Sequence, residues 1–281
     1  MKEWLEENRG IAKLLFWEYG KISFASICIA VSLVSILFII SSAVPQKLKI
    51  SFLDVGQGDA IFLQTPSGHD MLIDGGPTNK ILERLGKEMN YFDRDIDVVV
   101  ATHPDADHVT GLIPVLEKYN VRTIVVSPTD GSTGVFTDLQ THIDNEGADI
   151  HVARTGDRID FGDGVTATVL YPPKNYIPKK NDTNDASVSM VITYGNHTFL
   201  LTGDLPSSRE PKLIGALLSL RTSASAERKL VGSSANSNIT VYKAGHHGSN
   251  TSSGDQLLGY IKPEYTIISA GKDNKLSLIH I

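Results

Sequence analysis

Short apolar runs that stop abruptly at polar, glycine-rich turns recur along most of this 281-residue chain. Runs at 49–53, 60–64 and 71–73 predict an early group of strands, because apolar, β-branched segments bounded by Gly, Asp and Asn suit a pleated surface. Residues 79–89 have helical spacing, 98–101 form a fully apolar run that predicts a buried strand, 111–118 predict a helix and 123–127 a strand. Residues 137–145 predict another helix, followed by strand material at 150–153 and 165–170. Segments 188–194 and 197–202 flank Gly195-Asn196, a favoured tight-turn pair, and predict a hairpin. A helix over 206–220 and late strands at 238–242 and 265–269 complete the pattern. Strand and helix signals alternate without a long repeat, so an α/β fold with helix-covered sheets is expected. Two segments read as loops: 171–185, rich in Pro, Asn and Lys and expected to overhang the strand ends, and 221–237, rich in Ser and Ala and expected to be flexible.

The longest apolar stretch changes the picture at one end. Residues 22–44 contain no charged side chain and are flanked by Lys21 and Lys47, and about 20 apolar residues cross a bilayer as a helix. The expectation is a charged leader at 1–21, a transmembrane helix at 22–44 and a domain at 47–281. The alternative is a signal peptide cleaved near Ser41-Ser42-Ala43, which would yield a secreted domain. Lys2, Arg9, Lys13 and Lys21 precede the span, a bias toward a cytoplasmic N-terminus and an extracytoplasmic domain. Glu3, Glu6, Glu7 and Glu18 cancel that charge, so the net −6 lies in the remainder. Such a balance, with no basic stripe, lacks the electrostatic footprint of tight duplex binding. The single cysteine, Cys28, excludes an intrachain disulfide and a cysteine-based zinc site.

The densest candidate chemistry follows the 98–101 run, where His103, Asp105, Asp107 and His108 lie within six residues. Residues two apart at an extended end point the same way, so His103 and Asp105 can reach one point while Asp107 and His108 close in from the next turn. Such a group is costly to hold together without a cation among it; the plainer alternative is a solvated acidic turn. The same form, an apolar strand ending in polar groups, recurs at 50–59 (Gln57, Asp59), 71–76 (Asp74), 199–204 (Asp204) and 239–249 (Lys243, His246, His247, Ser249). Several such tips predict strand ends converging on one site. Taken singly, Asp204 could instead cap the following helix, His246 and His247 could be a surface pair, and the Gln57–Asp59 turn only a polar hairpin. No Ser-His-Asp order, phosphate loop or dinucleotide fingerprint competes, so no nucleotide cofactor is expected.

Together, the motifs at 53–60 (LDVGQGDA), 72–76 (LIDGG), 103–108 (HPDADH), 201–204 (LTGD) and 246–249 (HHGS) resemble the metallo-β-lactamase-fold hydrolases. Within them they resemble the branch of ComEC-type competence (DNA-uptake) domains, over roughly 47–275. The resemblance implies an αββα sandwich and two divalent ions, Zn2+ or Mn2+, that activate a bridging hydroxide. It implies that His103 and Asp105 hold one ion, Asp107 and His108 a second, and that Asp204 bridges both. One of His246 and His247 completes the second ion's ligands; the other orients substrate or relays a proton. Asp107, Asp204, Asp59 and His247 are the expected catalytic set. Asp105 stands where the family's middle His is usual, and a harder, oxygen-rich site shifts preference toward Mn2+ or mixed occupancy. Asp74 is expected to support the metal-binding loop. Asn184 and Ser187, in the segment of the usual third His, are expected to meet a phosphate oxygen or help one ion, and Lys243 and Ser249 to contact an anion. The implied function is a metal-dependent phosphodiesterase or nuclease acting on DNA or another phosphodiester. The alternatives are a hydrolase of small esters, phosphocholine or lactams, and a catalytically weak binding protein. After Lys275 the branch's Tyr-Gly-His-Pro segment and final helix give way to residues 276–281, so a truncated end is expected and His280 receives no role.

Overall fold

The computed structural model describes residues 8, 9, 13, 17, 23–36, 47–178, 182–228, 239–272 and 274, of which 223–228 by backbone alone. Its contacts divide the chain into two units, Met1–Gln46 and Lys47–Ile281. In the first, residues 23–36 form a helix, α1, on which Phe24, Ile27, Ile29, Val31 and Val34 are each at least 60% exposed. Among the described residues no helix is long and apolar enough to cross a membrane. Residues 22 and 37–44 of the expected span lie outside the described residues, as do most of the leader and the tail after Asn274.

The second unit contains two six-stranded sheets. The first runs β1 (Lys49–Phe52), β2 (Ile61–Gln64), β3 (Asp70–Ile73), β4 (Asp95–Ala101), β5 (Asn120–Val126), β6 (Asp149–Val152), in chain order. Its first three strands are antiparallel and the pairings from β3 to β6 parallel. The parallel steps need crossovers, which contain α2 (Lys80–Glu88), α3 (Ala106–Val109), α4 (Leu112–Lys118) and α5 (Gly134–Glu146). The second sheet contains β7 (Arg158–Asp160), β8 (Val165–Tyr171), β9 (Ser189–Tyr194), β10 (His197–Leu201), β11 (Val241–Lys243) and β12 (Tyr265–Ile267). Strands β7 to β10 pair antiparallel, and β10, β11 and β12 parallel, with α6 (Glu210–Arg228) and α7 (Asp255–Ile261) in their crossovers.

Side-chain alternation builds three cores from these strands. Phe62 and Leu72 pack with Ile81, Leu85, Leu112 and Val115 of the helices. Their neighbours Ile61, Leu63, Met71 and Ile73 meet Val165, Ala167, Met190 and Ile192 of the opposite sheet. Val191, Leu200 and Tyr242 pack with Leu213, Leu217, Leu257 and Ile261 of α6 and α7. Each Val, Leu, Ile, Phe or Met among them, fully buried, contributes about 1.5–3 kcal/mol. Strand β4 serves two cores, Val98 and Val100 on one face and Val99 and Ala101 on the other, which is why its sequence is an unbroken apolar run.

Three expectations change. Helix α6 starts at Glu210 rather than 206, because residues 206–209 form a turn closed by Arg209 N–H to the Pro206 carbonyl at 2.8 Å. It then continues through 221–228, expected to be loop, since Ala, Glu and Arg sustain a helix that Ser alone would weaken; residues 229–237 lie outside the described residues. Short elements α3, α7 and β7 appear where no periodic signal was read.

Candidate metal centre

The strand directions gather the polar tips. Parallel β3 and β4 end in Asp74 and in residues 102–108; parallel β10 and β11 end in Asp204 and in His246-His247. Sites of open α/β sheets form outside such carboxyl ends. Asp105 is extended (φ −80°, ψ 144°) and precedes α3, whose first turn carries Asp107 and His108. His246 and His247 both have left-handed backbone, φ 48° and 52°, as does Asp74 at 58°. The LDVGQGDA turn brings Asp59 against this group. A Cβ on Gly58 would stand 2.1 Å from the Asp107 carbonyl oxygen, so only glycine lets the turn close on the 103–108 loop.

Asp204 is the hub. Its Oδ2 lies 3.4 Å from His108 Nε2, 3.6 Å from His247 Nε2, 3.7 Å from His246 Nε2 and 3.8 Å from His103 Nε2. His247 Nε2 is also 3.1 Å from Asp107 Oδ2 and 3.3 Å from His108 Nε2, and His103 Nε2 is 3.7 Å from Asp105 Oδ2. Every imidazole spends Nδ1 on the scaffold: His103 on Thr102 Oγ1 (3.0 Å), His108 on Asp74 Oδ2 (2.7 Å), His246 on Thr251 Oγ1 (3.0 Å) and His247 on the Ser269 carbonyl (3.0 Å). Thr102 gives its hydroxyl hydrogen to Asp74 Oδ2 at 2.7 Å, so it accepts from His103. A carboxylate and a carbonyl only accept. His103, His108 and His247, when neutral, therefore carry the hydrogen on Nδ1 and present the Nε2 lone pair to the hub.

These donors fit a divalent cation. The buried atoms His103 Nε2, Asp204 Oδ1 and Asp59 Oδ1 have no hydrogen-bond partner, although buried polar atoms nearly always do. Asp59, His108, Asp204 and His247 offer ligand atoms all within 4.8 Å of one another. Two ligands of one tetrahedral ion at about 2.0–2.2 Å stand roughly 3.3 Å apart, close to the spacings around Asp204. Imidazole nitrogen with carboxylate oxygen suits Zn2+ or Mn2+.

The electrostatics agree. Burial and the neighbouring His108 push His103 down to about 4. Burial opposes charge on His108, but Asp204 and Asp74 outweigh it and hold its pKa well above the usual histidine range. Burial is likewise outweighed at His247, where Asp107 and Asp59 raise the pKa to about 9. Burial would raise Asp204, yet His108 and His103 hold it well below the usual carboxylate range. The carboxylates thus demand positive charge, and protons and a metal ion compete to supply it.

All seven metal-ligand candidates, His103, Asp105, Asp107, His108, Asp204, His246 and His247, meet around this hub. The remaining candidates stand in other settings. Lys243 is fully buried in an ion pair with Asp59 Oδ2; a buried ammonium requires such a partner, so it has no face for an anion. Asp59 Oδ1 lies 3.4 Å from His247 Nδ1. Asp74 also accepts the Thr102 N–H at 2.8 Å, which ties the start of the 102–108 loop to the end of β3. Ser187 Oγ accepts the Asp204 N–H at 3.2 Å, while the side-chain oxygen of Asn184 is buried without a partner. Gln57 accepts the Gly271 N–H at 2.9 Å, and Ser249 is buried and bonds Thr251 within its own loop at 3.0 Å. Sequence reasoning passed over Thr102, Thr183, Thr251 and Ser269. Lone hydroxyls and a carbonyl have no motif, and only the position of Thr102 beside His103 was a signal.

Residues 69–219 match the beta-lactamase superfamily domain, and the chain belongs to that family. Among curated proteins it is 24% identical over 259 residues to ComE operon protein 3 of Bacillus subtilis (strain 168), covering 86% of this chain and 31% of that protein. It is 29% identical over 234 residues to Competence protein ComA of Neisseria gonorrhoeae, covering 83% and 28%. The chain therefore spans about a third or less of the length of these relatives. Among solved structures it is similar to CmlA, a diiron β-hydroxylase from Streptomyces venezuelae, with 14% identity and a TM-score of 0.46 over 80% of this chain and 45% of that one.

Proposed function

We propose that this protein is a metal-dependent phosphodiesterase acting on nucleic acid. The observation that carries the reading is the convergence of four imidazole Nε2 atoms on the Asp204 carboxylate, with buried donor atoms left unpartnered around it. In this reading His103 and Asp105 would hold one divalent ion and Asp107, His108 and His247 a second, with Asp204 contributing to the set. Such ions supply Lewis acidity and lower the pKa of a bound water. The chain's own groups do the rest. Asp74, Thr102 and Ser269 fix the imidazoles, and the buried Lys243 offsets the charge of Asp59. Asp105 and Asp107, each more than a third exposed, mark the face a phosphodiester reaches. His246, a quarter exposed, passes a proton to the leaving oxygen. Nucleic acid as substrate is supported by one relative named as a competence protein, in Neisseria gonorrhoeae, and another as a recombination protein, in Haemophilus influenzae.

The test is a substrate panel of single- and double-stranded DNA, a simple phosphodiester, a phosphocholine ester and a lactam, with Mn2+ or Zn2+. The expected outcome is nucleotide release from DNA that falls more than about 100-fold in Asp204→Ala, beyond the usual loss for a residue that only orients a ligand. Metal-loaded, folded protein that cleaves no phosphodiester would overturn the reading. We further propose that residues 22–44 anchor the chain in a membrane with the domain on the extracytoplasmic side, supported by the exposed apolar surface of α1. Release of full-length protein by an alkaline carbonate wash would refute this.

A further inference from the structure

The segment 183–188 touches both halves of the centre. Thr183 Oγ1 donates to Asp105 Oδ1 at 2.6 Å, on the first sheet's loop. The other oxygen of Asp105, Oδ2, is the one 3.7 Å from His103 Nε2. Four residues on, Ser187 Oγ accepts the Asp204 N–H at 3.2 Å, on the second sheet's loop. Val188 N–H donates to the Thr102 carbonyl at 2.8 Å, and Ser127 Oγ donates to that of Ala186 at 3.0 Å. One ion pair clamps the segment. Asp185 is 2% exposed and accepts both Nε–H and Nη2–H of Arg209, the second at 2.7 Å. Arg209 stands in the turn that follows Asp204, just before α6, so the pair ties the segment to the element that carries the hub. A two-point guanidinium–carboxylate bond fixes orientation as well as distance, which a lysine would not.

We propose that Thr183 is a positioning residue for Asp105, and that the Arg209–Asp185 pair holds it in register. The proposal rests on the metal reading above. A carboxylate with two free oxygens can swing or bind through either one. The Thr183 hydroxyl occupies Oδ1 and leaves Oδ2 as the oxygen that turns toward His103. A hydroxyl donor matches a carboxylate at this position, so Thr183 and Asp105 act as a matched pair.

The test is calorimetric titration of the full-length protein with Mn2+ and with Zn2+, comparing wild type, Thr183→Val, Thr183→Ser and Arg209→Lys, each checked by its melting curve. Valine keeps the shape and removes the donor. Loss of a hydrogen bond that orients a metal ligand costs roughly 10–100-fold in affinity, so one binding step should weaken by that factor in Thr183→Val. Serine should restore it. Arg209→Lys, which keeps the charge and loses the fork, should weaken the same step. If Thr183→Val titrates as wild type does, or serine fails to rescue it, the assignment falls while the hydrolase reading stands. If wild type takes up neither ion, both fall together.

Discussion

The loop after β4 and the loop after β11 bring imidazoles to the same carboxylate by opposite means. The first uses ordinary backbone: an extended Asp105, then the opening turn of α3, so that spacing along the chain sets which groups meet. The second delivers two consecutive histidines. Adjacent side chains on a strand diverge to opposite faces, yet His246 and His247 both reach Asp204, at 3.7 and 3.6 Å. They do so in left-handed conformation, which costs an L-residue roughly 1–2 kcal/mol. Surrounding bonds hold that strain: His246 N–H to the Gly203 carbonyl at 3.1 Å, Ala244 N–H to the Ile267 carbonyl at 2.8 Å and Ser249 N–H to the His246 carbonyl at 2.8 Å. One half of the centre is written in local spacing, the other in long-range packing.

The strongest way to break this contrast is at the root of the strained loop. Lys243→Met removes the ammonium partner of the buried Asp59 and leaves it only His247 at 3.4 Å, and removing one partner of a buried pair costs about 3–5 kcal/mol. The melting temperature should fall by around 10 °C, and the double variant with Asp59→Asn should recover most of it. A single variant that melts like wild type would show that the second loop does not depend on this pair. Next in size is the division between the two histidines. His247 is buried, with Asp107 and His108 beside it, while His246 is more open. Zn2+ affinity should fall at least about tenfold more in His247→Ala than in His246→Ala, on the scale set by groups around metal ligands; equal losses would erase the distinction.

The smallest effect comes from a buried carboxylate away from the centre. Burial pushes Asp70 up to about 6; the hydrogen bond from Gln64 opposes it, and the neighbouring Asp93 and Asp97 add smaller upward pushes. Its folded pKa is above the unfolded one, so its contribution to stability is present in acid and lost as pH rises from about 4 through 6. The gain in melting temperature of Asp70→Asn over wild type should therefore grow between pH 4 and pH 7. A pH-independent difference would contradict it.

Much of this arrangement was legible in the chain. The apolar runs at 60–64, 98–101 and 165–170 became β2, β4 and β8, because burial on one or both faces leaves a direct mark on composition. Gly195-Asn196 made its hairpin, with Tyr194 paired to His197. The 103–108 motif set out four candidate side chains, and the fold gathers His103 and His108 within 3.8 Å of Asp204. What escaped depended on contacts between distant segments. Asp97 interrupts the apolar start of β4, yet it accepts from His69 beside β3 and from Arg122 of β5, the strands on either side, so the strand begins at Asp95. The fate of Lys243 was hidden, since nothing local says that residue 59 will lie against residue 243. Thr183 and Ser269 were invisible for the same reason.

The orientation of the rings has a practical corollary. Because the scaffold already occupies the far nitrogen of each imidazole, a cation arriving at Asp204 meets a finished cradle and need not organise one. Chelated protein should keep its shape, in contrast to small zinc modules that collapse when stripped, and should accept an ion without refolding.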